Sequence, residues 1–114
     1  MLLGAGFVLQ GLGWIVAPAN AAAGLGMPLL DGLGRSTQVG DFAAFFLTAG
    51  VTMLVGSRAG NARLLLVPAG MLGSAAAVRT LAWLVHGASF AALFIAVEVV
   101  AGIVLATAAL RDDG

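Results

Sequence analysis

Charge is scarce in this chain of 114 residues, only 9% of which are charged, and cysteine, lysine and tyrosine are missing altogether. Each absence closes a class of function. Without cysteine there is no disulfide, no thiolate nucleophile and no thiolate metal site, and the redox compartment is left undecided. A single histidine, His86, cannot build a three-histidine metal centre within one chain, so no metal is expected. Five arginines balance five acidic residues to a formal net charge of zero, so no basic field exists to hold nucleic acid.

Apolar residues fill the space that charge leaves, at 61% of the chain against about 45–50% in soluble domains. A soluble monomer rarely exposes an apolar patch larger than a few hundred Å², so a mean hydropathy of +1.11 calls for lipid as the covering solvent.

Four apolar stretches approach the roughly 17–25 residues that span a hydrocarbon core. They run over Met1–Ala17, Asp41–Gly56, Leu64–Val85 and Phe90–Leu110, and the second borrows a turn from Thr37–Gly40 to begin near residue 38. The reading is an all-α integral membrane four-helix bundle, one domain over residues 1–114. The first stretch is read as a retained helix and not a secretory signal: Ala19-Asn20-Ala21 resembles a cleavage site, but no Arg or Lys precedes the apolar run.

Between the first two spans, residues 18–40 are too many for a hairpin and too apolar for a disordered linker. Asn20 is expected to cap a short helix through Ala21, Ala22, Ala23 and Leu25. Met27-Pro28-Leu29-Leu30 is placed in the membrane interface, and Asp31-Gly32 and Gly34 are read as turns, giving a lid or half-helix over the outer mouth of the bundle. Arg58, Arg63 and Arg111 share the side of the N-terminus, which places both termini in the cytoplasm of a cell (inner) membrane.

Two ionisable residues fall inside the apolar spans, Arg79 in the third and Glu98 in the fourth. Such a charge costs about 2.5–3.5 kcal/mol at the bilayer centre on insertion scales, so it normally faces the bundle interior and finds a partner. Arg79 lies six residues before Val85 and Glu98 eight after Phe90, which sets both about 9–12 Å below the outer helix ends at roughly 1.5 Å per residue. Gln10 and Asp41 reach the same layer, with Thr48 and Thr52 on the face of Asp41. Thr80, Trp83 and His86 share or adjoin the face of Arg79.

This pattern supports several readings. One is a polar-bottomed pocket in the outer half for a lipophilic small molecule such as an isoprenoid, a quinone or a sterol-like ring. Its catalytic form is a cofactor-independent isomerase, cyclase or epoxide hydrolase, in which Glu98 or Asp41 is the acid or base and Arg79 holds a partner carboxylate or an oxyanion. Gln10, Trp14, Thr48, Thr80, Trp83 and His86 would line the ligand. A second reading makes Arg79 and Glu98 a structural pair in an accessory membrane subunit. A third is a proton-coupled exporter, although small four-helix exporters carry their acid in the first helix, where this chain has Gln10. Read singly, Trp14 and Trp83 are interface anchors, His86 is a helix cap, and a homo-oligomer stays open.

The run Arg79-Thr80-Leu81-Ala82-Trp83-Leu84-Val85-His86-Gly87, followed by a span containing Glu98, resembles the C-terminal half of small DoxX-like four-helix membrane proteins. The first span ending in Ala17-Pro18 before a loop and a short second span is similar too. The resemblance implies the four-helix fold and a membrane location. Some relatives are associated with quinone-linked sulfur oxidation, and more distant four-helix folds include sterol-binding isomerases and receptor assembly factors.

Overall fold

The structure is a computed structural model that describes residues 1–111. Those residues form five α-helices and no strand: α1 (Leu2–Val16), α2 (Pro18–Gly24), α3 (Gly32–Gly56), α4 (Leu66–Val85) and α5 (Ala92–Arg111), with a short 3-10 turn, Ala62–Leu65, leading into α4. Three helical stretches are long and apolar enough to cross a membrane: Gly32–Gly56, Ala62–Val85 and Ala92–Arg111. The 15 residues of α1 rise about 22 Å, which is short of a hydrocarbon core of about 30 Å. The chain divides into two compact units, Met1–Leu54 and Val55–Gly114.

In the first unit, Pro18 decides where α1 stops. Proline disfavours helical geometry in the residue before it, and Ala17 accordingly leaves the helix at φ −138° and ψ 66°. Pro18 then opens α2 at its first position, where its missing N–H costs nothing. The expected short helix is therefore present, but its start is set by Pro18, and Asn20 lies within the helix instead of capping it.

At the other end of α2, Gly26 takes the left-handed region at φ +79°. Its N–H reaches the Ala23 carbonyl, and the N–H of Met27 reaches that of Ala22, a pair of bonds that closes the helix. The hydrophobic contact that accompanies such a closure is present, because Met27 packs on the cluster of Trp14, Ala21, Ala22 and Ala43.

Helix α3 begins six residues earlier than the borrowed turn requires, and Gly34 is helical where a turn was expected. Gly, Ser and Thr are weak helix formers, so local propensity gives little reason for the extension. Side chains supply it. Arg35 pairs with Asp31 at 3.0 Å and donates from Nε to the Leu30 carbonyl at 2.8 Å, both across the helix start. Along the helix, α1 and α3 come close enough that a Cβ on Gly50 would stand 2.7 Å from the backbone nitrogen of Val8. Phe7 and Phe46 meet edge to face beside that crossing, with ring centroids 5.4 Å apart.

In the second unit, α4 and α5 form an antiparallel hairpin, and the 3-10 turn packs on α5. In the first arm of this hairpin the buried residues Leu65, Ala69, Leu72 and Ala76 are spaced by four, three and four, which is one helical face. On α5, Gly102, Leu105 and Ala109 repeat that spacing, and Gly102 faces the Ala69 carbonyl. Pro68 is buried in the first turn of α4, where no intrahelical donor is lost.

Candidate functional site

Extending those two packing faces toward the connecting turn places Arg79 three residues beyond Ala76 and Glu98 four residues before Gly102. Helical periodicity thus carries both side chains into the seam between α4 and α5, where their charge would be costly alone. They pair. Arg79 Nε donates to both carboxylate oxygens of Glu98, at 3.0 Å to Oε1 and 3.2 Å to Oε2. The arginine side chain keeps 35% of its surface exposed and the glutamate only 13%, so the carboxylate is the inner member.

Phe94, one turn before Glu98 on α5, sits under the guanidinium at 4.8 Å from ring centroid to Cζ. A cation over an aromatic face gains about 0.5–2 kcal/mol, more as water is removed. Both hydrogen bonds of Arg79 leave from Nε, so its terminal nitrogens have no acceptor among the described residues. Nearer the turn, Trp83 and Phe90 meet at 4.9 Å and 61°. The Thr80 hydroxyl donates back to the Ala76 carbonyl at 2.9 Å, so it serves its own helix. His86 is exposed at the end of α4, where its backbone N–H bonds Ala82 at 2.9 Å.

The remaining candidates belong to the first unit. Gln10 is half-buried on α1, whereas Asp41 and Thr48 lie exposed on α3, and the Thr48 carbonyl accepts the Thr52 hydroxyl at 2.7 Å. Trp14 departs from the reading as an interface anchor. It is fully buried at 0% exposure, stacked on Phe42 with centroids 4.9 Å apart and planes 13° apart. The reason is the chain reversal at Pro18, which lays α2 back over it. Its Nε1 has no hydrogen-bond acceptor among the described residues.

Two residues that sequence patterning passes over take structural weight. Phe94 has a recoverable signal, since it stands four residues from Glu98 on the same face. Gln38 does not. It is 5% exposed, accepts the Leu30 N–H at 2.6 Å through Oε1, and donates from Nε2 to the Pro28 carbonyl at 3.1 Å and toward Met27 Sδ at 3.3 Å. One side chain thereby satisfies the backbone of an irregular segment that would otherwise be stranded on an apolar surface. Among the described residues, no group of three or more His, Cys, Asp or Glu side chains is placed to hold a metal ion. Compared with known protein families, with curated proteins and with solved structures, the chain finds no match.

Proposed function

We propose that this chain is a multi-pass membrane protein that binds a lipophilic small molecule against the Arg79–Glu98 pair. The observation that carries the reading is an ion pair in the seam of an apolar hairpin whose arginine keeps its terminal donors unused. Guanidinium donors without an acceptor are costly in hydrocarbon, and an oxygen at the polar end of an amphiphile would satisfy them. The surrounding surface suits the apolar part: Leu81, Leu84, Leu93 and Val97 are all exposed, and Trp83 and Phe90 offer ring faces. Isoprenoids, quinones and sterol-like rings have the required shape. Glu98 is the group that would carry a proton if the ligand reacts, in an isomerisation, a cyclisation or an epoxide opening.

The membrane setting is supported by the three long apolar helices and by the resemblance to DoxX-like proteins in the run from Arg79 to Gly87. In a four-crossing arrangement α1 is the fourth span, its shortness met by local thinning of the bilayer or by small tilt. A second reading is favoured by the fact that both Glu98 oxygens are already engaged: the pair would then only fix the register of α4 on α5 in an accessory subunit.

The two separate experimentally. Purification in mild detergent followed by mass spectrometry of the organic extract is expected to yield a lipophile with the unaltered chain. It should be absent from Arg79→Gln and Glu98→Gln preparations that keep their helical circular dichroism. An extract holding bulk phospholipid alone from the unaltered chain would establish the structural reading. Proton flux in liposomes would point to an exporter.

A further inference from the structure

At the end of the α4–α5 hairpin opposite the Arg79–Glu98 pair, the chain presents a different chemistry. Residues 57–61 join α3 to the 3-10 turn, and this connection is closed on itself. The N–H of Arg58 bonds the Val55 carbonyl, Asn61 bonds Arg58, and Leu64 bonds Asn61, at 3.0–3.1 Å. Ala62 and Leu65 are buried, and Leu65 packs so closely on Gly56 that a Cβ there would meet it at 2.7 Å. These three bonds hold the turn together while the Arg58 and Arg63 residues are left exposed. Packing of the 3-10 turn on α5 brings the end of α5, and so Arg111, to the same end of the unit.

None of these three guanidinium groups forms an ion pair or a side-chain hydrogen bond among the described residues, where the two ion pairs are Arg35–Asp31 and Arg79–Glu98. Asp112 and Asp113 follow Arg111 in sequence and offset its charge, so Arg58 and Arg63 carry the attraction. Both stand at the edge of a stretch able to cross a membrane, Arg58 two residues after Gly56 and Arg63 as the second residue of Ala62–Val85. A helix end at the limit of an apolar span lies at headgroup depth, and a guanidinium there meets phosphate oxygens in the geometry it binds in pairs.

We infer that the 57–63 turn is a binding surface for anionic phospholipid headgroups, with Arg58 and Arg63 as its two phosphate-holding residues. The inference rests on the membrane reading above and goes beyond it by naming a lipid class and the residues that select it. A basic side chain near a membrane surface contributes about a fivefold preference for anionic lipid. Zwitterionic lipid carries the same phosphate but no net charge to attract, so the headgroup charge is the discriminating property.

The test reconstitutes the full chain in vesicles of equal parts phosphatidylcholine and phosphatidylglycerol, extracts it gently and counts retained lipids by native mass spectrometry. Phosphatidylglycerol should be retained over phosphatidylcholine. The preference should fall about fivefold in Arg58→Gln and again in the Arg58→Gln, Arg63→Gln double variant, and raised salt should weaken it. Arg58→Lys with Arg63→Lys should keep most of it, which separates charge from any role of these side chains in folding the turn. Equal retention of both lipids by the unaltered chain, or an undiminished preference in the double Gln variant, overturns the inference. If that variant does not fold, the Lys variant and the salt titration decide: a preference lost in Lys or insensitive to salt also overturns it. Failure to enter vesicles of either composition removes the membrane reading, and this inference with it.

Discussion

At the scale of single residues, the feature that matters most is the division of labour in the Arg79–Glu98 pair. One N–H of the guanidinium holds both carboxylate oxygens, Phe94 covers the cation, and the terminal nitrogens remain. Removing either partner leaves the other charge without its complement, at a cost of about 1–3 kcal/mol. Arg79→Gln and Glu98→Gln should therefore each lower the unfolding free energy in detergent by that order, and the double variant by less than the sum. Additive losses in denaturant titrations would mean that the pair is not a coupled unit. The pair was legible in the sequence because two isolated charges at matching depth in consecutive apolar spans have few other partners. Trp14 was not. A tryptophan near a helix end is ordinarily an interfacial residue, and only the return of α2 over it makes it core.

At the scale of elements, the α1–α3 crossing is set by what is missing at Gly50. A Cβ there would approach the Val8 nitrogen to 2.7 Å and the Gly4 oxygen to 2.9 Å, both backbone atoms that cannot rotate away. Gly6 lies on the same first helix with nothing within 4 Å of its would-be Cβ. Gly50→Ala should lower the melting temperature by forcing the helices apart, whereas Gly6→Ala should be neutral or raise it, since alanine gains up to about 1 kcal/mol of helix propensity over glycine. Equal effects of the two substitutions would show that close approach is not what glycine provides. Small residues in an apolar span let helix backbones approach closely, but sequence patterning does not tell one such glycine from another. It could not say which faces α3, because a glycine carries no polarity to mark its side.

At the scale of the whole molecule, three helices long and apolar enough to cross a membrane, in a chain with only 9% charged residues, are compatible with a membrane protein. The lack of cysteine makes the topology directly measurable. Single cysteines introduced at Ala59 and Ser89, both exposed and at opposite ends of α4, should react with a membrane-impermeant maleimide from opposite sides. On the charge distribution, Ala59→Cys should label only after cytoplasmic access is opened and Ser89→Cys in intact cells. Labelling of both from one side would mean that α4 does not cross.

Hydropathy and helical period are sums over neighbouring residues, so the sequence by itself determined the all-helical class, the two C-terminal helices to within two residues at each end, and the meeting of Arg79 with Glu98. Tertiary structure alone decided the long start of α3, the burial of Trp14 and the hold of Gln38 on residues 27–30. Those outcomes depend on which backbone groups are left unpaired when a chain turns back on itself at Pro18 and Gly26. A polar side chain eight to eleven positions away answers that need through space, with no periodic trace along the chain.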